Sequence, residues 1–431
     1  MVRRYSAMAE SAQQLQHLVD TFKKGISEHE SDSRRYRNVP EIRKAFRDDL
    51  DSVKERLAEM PLCDEERDVL LDSQTESFLD LYRGNAENLI GTVKVPLGVA
   101  GPILAKGLFA RDYFFLPLAT HEAALVASYH RGAMAINAAG GCTTAVLNEG
   151  VSRCPGFCFE NLAEVGKFSV WAIENQERFK MIAEKTTSHG KLVDLRLTVE
   201  ASNVYLNFEY NTGDAAGQNM VTMATEAVCE YIEENTPVKP RHWFVESNMS
   251  GDKKASLLSF VSVRGKKVSA EIRIPAEVLQ KRLKTTAKAM EDYWRMSSMG
   301  GVLSGTIGVQ GHYANGLAAL YIACGQDAAC VSESSVGTTR FEAREDGSLY
   351  AAVTLPNLIV GTVGGGTSLP SQNACLKLMN LAGENHANAF AEVCSAMCLA
   401  GELSIISALT EGDFSRAHRV LARRRAKTEK A

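Results

Sequence analysis

At Glu87 the chain changes texture, and that change limits the folds open to it. Residues 1–85 are rich in Glu, Lys, Arg, Gln and Leu, whereas IGTVKVPLGVAGPI (90–103) carries Gly and Pro at intervals that forbid a long helix. This second stretch predicts strands and tight turns. THEAALVASYHRGAMAINAAGG (120–141) then predicts a helix of small residues packed closely inside a core. A chain of 431 residues exceeds one ordinary core, so two or three domains are expected.

The remaining patterns give an α+β fold. In 41–60, Ile42, Phe46, Leu50, Val53 and Leu57 share one helical face, and Asp64 before EERDVLLD predicts an N-cap. KLVDLRLTVEASNVYLNFEY predicts two strands turning near Ala201-Ser202-Asn203, and NMVTMATEAVCEYIEEN a helix closed by Pro237. A helix after Pro275, a Gly-rich stretch at 300–311, a buried helix at 314–324 and a hairpin at Glu345-Asp346-Gly347 follow. The expected organisation is a helical N-terminal region (1–85), a large central α/β domain (86–156 and 246–410) with a buried helix, a small inserted α+β module (157–245) and a basic C-terminal segment (411–431).

Composition narrows the class. Hydrophobic residues at 45% and charged residues at 23% suit a soluble enzyme, and a net charge of −4 gives no case for nucleic acid. No apolar run reads as a membrane span. The best candidate, ANAFAEVCSAMCLAGELSIISAL, contains Glu392 and Glu402 and is expected to be a buried helix. Ten cysteines without regular spacing imply reduced thiols and a cytoplasmic location, and no metal site is expected.

Four polar sites carry chemistry. Asp252-Lys253-Lys254 provides a lysine that a carboxylate can keep charged and aimed at a developing oxyanion. Glu122, in LATHEAALVAS, is a candidate proton donor, and Asp327, in YIACGQDAAC, lies in an apolar setting that demands a partner, with Glu122 or Lys253 available. His418 is a candidate acid for a leaving thiolate. Together they suit reduction of an acyl thioester. Taken singly, three of them have a plainer reading: a solvated lysine pair, a first-turn glutamate, an exposed histidine. Asp214 and Gly217 in TGDAAGQNM suit an anion at a helix start, or a simple cap; without G-x-G-x-x-G, a Rossmann domain is not expected.

Six stretches in order resemble the 3-hydroxy-3-methylglutaryl-coenzyme A (HMG-CoA) reductase family, in its class I-like soluble catalytic form. They are ENLIGTVKVPLGVAGP, LATHEAALVASYHRGAMAI, TGDAAGQNM, GDKKA, ACGQDAA and VGTVGGGTSLPSQ. The resemblance implies a ferredoxin-like cofactor-binding insert, a C-terminal helical flap carrying His418, and a catalytic set of Glu122, Lys253, Asp327 and His418. It implies acyl-CoA contacts at Arg153, Lys254, Asn315, Ser128 and Arg131. Cofactor contacts are implied at Arg178, Phe179, Asp214, Gly217, Asn219, Gly364 and Gly365. NADPH is the expected cofactor and NADH the alternative. It further implies a homo-oligomer, a dimer or dimer of dimers, in which ENLIG and the Glu122 segment meet the Lys253 and Asp327 segments across a subunit boundary.

Three positions depart from the family pattern. Met296 stands where the family usually has a lysine in the acyl pocket, and Glu246, or Ser247 after a one-residue shift, where it has a serine; Arg153 and Lys254 remain as carboxylate binders. Glu177 precedes Arg178 where a serine is usual. The alternatives are a reductase for a different acyl-CoA thioester and a non-catalytic coenzyme A-binding homologue.

Overall fold

The computed structural model describes residues 16–24, 42, 46–47 and 49–411. His418 and the flap expectation lie outside these residues. The chain divides into two compact units, one ending at Thr92 and the other beginning at Val93.

In the first unit, helix α1 (Leu50–Ala58) is capped by Asp49, whose carboxylate accepts from Ser52 N at 2.9 Å. The expected apolar face therefore begins at Leu50. Phe46 has a left-handed backbone (φ 60°) that no α-helix accommodates, and its N–H donates to Asn88 Oδ1 at 2.8 Å. Val53 and Leu57 pack with Leu71, Leu79 and Leu89 in a small core. Helix α2 (Asp64–Leu70) starts one residue earlier than the cap expectation, because Cys63 is the N-cap and Glu66 accepts its N–H at 2.9 Å.

The second unit is built on antiparallel strands. β1 (Leu97–Lys106) and β2 (Arg111–Ala119) form a separate hairpin. An eight-stranded sheet joins β3 (Thr143–Arg153), β4 (Gly156–Cys158), β5 (Lys191–Glu200), β6 (Asn203–Asn211), β7 (His242–Phe244), β8 (Gly265–Ile274), β9 (Thr338–Ala343) and β10 (Leu349–Leu358). Its order is β7-β4-β6-β3-β8-β10-β9, with β5 on β6. β3 changes partner along its length: Thr143–Gly150 pairs with β8 and Val151–Arg153 with β6. Arg153 thus ends a strand where two parts of the sheet meet.

The longer helices of this unit are α3 (Leu125–Ala138), α4 (Leu162–Glu174), α5 (Gln176–Lys185), α6 (Gln218–Asn235), α7 (Ala287–Ser304), α8 (Tyr313–Ala323), α9 (Pro370–Leu378) and α10 (Ala387–Thr410). The glycines at 300 and 301 lie inside α7 rather than in a loop. α10 is long and apolar enough to span a membrane, but its residues are core. The small residues of α3 let it approach α10 closely: a Cβ on Gly132 would lie 1.9 Å from Ala400 O. Glu392, buried on α10, accepts N–H groups from Leu108, Phe109 and Ala110, closing the β1–β2 turn, and one from Val146. A second core lies within 151–232, where Phe157, Phe168, Phe179, Phe208, Val228 and others pack together.

Candidate active site

The segment between β7 and β8 makes a tight turn, in which Lys254 N donates to Gly251 O at 3.1 Å. Gly251 and Lys253 both take positive φ, at 75° and 55°. Such a backbone is strained for lysine and persists only where its surroundings fix it. Here Lys253 N donates to Glu333 Oε1 at 3.2 Å, and Glu333 is fully buried. Arg264, also buried, makes a close ion pair with Glu333 and donates to Asp252 Oδ1 at 2.7 Å and to Gln218 Oε1 at 2.6 Å. A buried Arg–carboxylate network of this kind holds the turn in one geometry.

The Lys253 ammonium reaches Asp327 Oδ2 at 2.8 Å, with the two side chains 44% and 42% exposed. Asp327 is therefore a half-open carboxylate rather than one sealed in apolar surroundings, and its partner is Lys253. It caps the Ala328–Cys330 turn, accepting Ala329 N at 2.9 Å. The hydrogen bond to Asp327 raises the Lys253 pKa above the ordinary lysine value. Burial pushes the Asp327 carboxyl up, but the bonds from Lys253 and Ala329 outweigh it and leave the pKa lowered. The result is a fixed ammonium, open to solvent on one side.

Asp252, expected to orient Lys253 or to help hold the site, takes the second part: it faces two arginines, Arg264, and Arg153 Nη1 at 3.0 Å. The backbone explains this, since positive φ at Lys253 turns neighbouring side chains apart. Arg153 Nη1 also donates to Glu246 at 3.1 Å. Lys254 is exposed and donates to the Asp252 carbonyl at 2.8 Å. Met296 is 77% exposed on α7.

Other expected residues fall in different places. Glu122 is exposed on the loop before α3, and its N–H donates to Thr120 Oγ1 at 3.0 Å. Among the described residues, no hydrogen bond or ion pair joins it to Lys253 or Asp327 within one chain. Asn315 is exposed in the first turn of α8. Ser128 and Arg131 on α3 direct their polar atoms to α10: Ser128 Oγ donates to Ser404 Oγ at 2.9 Å, and Arg131 donates to Ser404 and Ser407.

The two Gly-rich motifs lie side by side. Thr362 N donates to Asp214 O at 2.9 Å, and Ala215 bridges Val363. The Asp214 carboxylate accepts from Asn385 N and Ala387 N, at 2.7 and 3.1 Å, so it ties this loop to the start of α10. Gly217 (φ 79°) precedes α6, whose first turn carries Asn219, exposed. Gly364 and Gly365 take positive φ, and added Cβ atoms there would meet nothing within 4 Å. This is an open glycine loop beside a helix N-terminus, a geometry that suits a phosphate-bearing cofactor. Arg178 is exposed and stacks on Tyr231 at 5.6 Å. Phe179 is fully buried against Phe208, Trp171 and Tyr231, so its side chain is core and offers no surface to a cofactor.

Arg264, Glu333 and Gln218 were not singled out from sequence. Glu333 lies 69 residues from Arg264, and SESS carries no pattern that marks a buried acid.

A mixed α+β core with a lysine–carboxylate centre and a neighbouring glycine loop defines a class of enzyme, and comparison with known proteins identifies it further. The sequence matches the hydroxymethylglutaryl-coenzyme A reductase family over residues 52–423, and the chain belongs to that family. It is 41% identical over 346 residues to the 3-hydroxy-3-methylglutaryl-coenzyme A reductase of Methanocaldococcus jannaschii, covering 79% of this chain and 85% of that one. It is 42% identical over 343 residues to that of Halobacterium salinarum, covering 78% and 84%. The fold resembles a class II 3-hydroxy-3-methylglutaryl-CoA reductase from Streptococcus pneumoniae, solved bound to NADPH (TM-score 0.63, 20% identity, covering 83% of this chain and 96% of that one).

Proposed function

We propose that this enzyme reduces HMG-CoA to mevalonate, releasing coenzyme A and consuming two reduced nicotinamide cofactors. The observation that carries this reading is the Lys253–Asp327 pair at 2.8 Å, on a turn fixed by buried charges, in a chain of this family.

The cofactor, NADPH with NADH as the alternative, supplies hydride in both steps. The residues that would hold it are those of the glycine loop (Gly364, Gly365), Gly217 and Asn219 at the α6 N-terminus, and Arg178, all within or beside the 157–245 module. Lys253 stabilises the oxyanion that forms on the thioester carbonyl, and Asp327 keeps that lysine charged and aimed. His418 protonates the departing coenzyme A thiolate. Glu122 gives a proton to the aldehyde oxygen in the second reduction. Because Glu122 does not meet Lys253 within one chain, the reading includes a homodimer, or a dimer of dimers, in which a second copy supplies Glu122.

The test is a spectrophotometric assay. HMG-CoA should drive oxidation of two cofactors per coenzyme A thiol released, and no HMG-CoA-dependent oxidation with either cofactor would overturn the reading.

A further inference from the structure

Around Lys253, four acids meet three cations: Glu246 and Asp252 face Arg153, Asp252 and Glu333 face Arg264, and Asp327 faces Lys253, while Lys254 donates to a backbone carbonyl. A substrate whose acyl group ends in a carboxylate needs a cation here. Lys253 is committed to the thioester and Arg264 is sealed against Glu333, which leaves Arg153 and the exposed Lys254.

Arg153 is buried, and its Nη1 is shared between Asp252 and Glu246. Its Nη2 reaches Gln218 only at 3.5 Å, and its Nε has no partner. The guanidinium thus retains donors, but a carboxylate already lies against it. Glu246 is 22% exposed, so it lies at the open edge of this cluster. It is held there by Ser250 Oγ at 2.9 Å and Asn248 N at 2.7 Å. Those two bonds keep a negative charge where an incoming carboxylate would approach Arg153. Such a charge repels a like group and satisfies part of the cation that would bind it.

We infer that Glu246 is the specificity-determining residue of the acyl subsite, occupying Arg153 and so disfavouring acyl groups that end in a carboxylate. This rests on the proposed reductase reading, which puts the acyl chain beside Lys253. The subsite tolerates acyl-CoA thioesters with an uncharged, hydroxyl-bearing end better than a site with an unoccupied arginine would.

The test is equilibrium binding by calorimetry. HMG-CoA is compared with 3-hydroxy-3-methylbutyryl-CoA, which lacks the distal carboxylate, on wild type, Glu246→Gln, Glu246→Ser and Glu246→Asp. Removing the charge should shift the ratio of the two Kd values about ten- to a hundredfold toward HMG-CoA in the Gln and Ser variants. Glu246→Asp, which keeps the charge, should stay near the wild-type ratio. An unchanged ratio in both Gln and Ser variants, or parallel weakening of both ligands, would overturn the inference and make Glu246 a purely structural brace. A binding ratio needs no turnover, so a protein that binds HMG-CoA but does not reduce it would count against the reductase reading and not against Glu246.

Discussion

The Lys253 ammonium lies 2.8 Å from Asp327 Oδ2, on a turn whose backbone N–H is held by a carboxylate that is itself fully buried. Two acids therefore serve one lysine: Asp327 sets its charge and direction, and Glu333 sets the backbone from which it projects. The role proposed for Lys253 needs both, because an oxyanion stabiliser must be charged and must already be in place when charge develops.

Asp327→Asn should shift the pH profile. The hydrogen bond to Asp327 raises the Lys253 pKa from 10.5, which extends the charged form to higher pH. Removing the acid should move the alkaline limb of kcat to lower pH. The same pair stabilises the fold below the ordinary lysine value, and that contribution fades as pH rises through the raised one. For Asp327 it is present above the ordinary value of 3.8 and fades as pH falls through the lowered one. Both groups are half exposed, so the effect on stability is small. A pH–rate series on both proteins checks the shift, and coincident alkaline limbs would speak against it.

Glu333→Ala should destabilise the second unit by about 3–5 kcal/mol, because it strips a buried arginine of its close partner. Asp252 still faces Arg264, which places the loss toward the lower end. Urea unfolding measures it. Replacing Arg264 and Glu333 together with methionine should recover much of the stability but not the rate, since the Lys253 N–H would remain without its acceptor. A loss below about 1 kcal/mol in Glu333→Ala would contradict the role assigned to this pair.

The patterned elements were legible in the sequence. The helical period of α6, the strand pair β5–β6 and the acid-bearing buried helix α10 all form as their patterns require. The ends of elements were less legible. Phe46 fits the α1 face by spacing, but Asp49 starts the helix after it. Lys253 was one of two partners expected for Asp327, and the pair forms, but not for the expected reason, since Asp327 is half exposed rather than buried among apolar residues. The layer behind them was not legible. Arg264, Glu333 and Gln218 come together only when the start of β8, the short helix Val331–Ser334 and the start of α6 converge, and no local pattern records that. Phe179, a cofactor contact implied by the family resemblance, is core instead: neighbours on a helix face different ways, and Arg178 takes the exposed side.

Mixed oligomers should show whether the site is shared. Neither Glu122→Gln nor Lys253→Ala should turn over well alone. If one copy supplies Glu122 and the other Lys253, random pairing of the two variants should restore about a quarter of the wild-type sites. A mixture as inactive as its parents would place both residues in one chain's site.

His418→Gln should slow reduction of the thioester more than reduction of the free aldehyde intermediate. Only the thioester route expels a thiolate that needs a proton. Comparing the two substrates under single-turnover conditions checks this, and equal losses would remove His418 from that step.

The most direct measurement is turnover of HMG-CoA by Lys253→Ala beside wild type, followed by cofactor oxidation, with circular dichroism to confirm that the fold is kept. Losing the oxyanion contact should cost roughly 3–4 kcal/mol, a fall in kcat of at least about a hundredfold. A folded Lys253→Ala enzyme within about threefold of wild type would contradict the assignment of Lys253 as the group that carries the reduction.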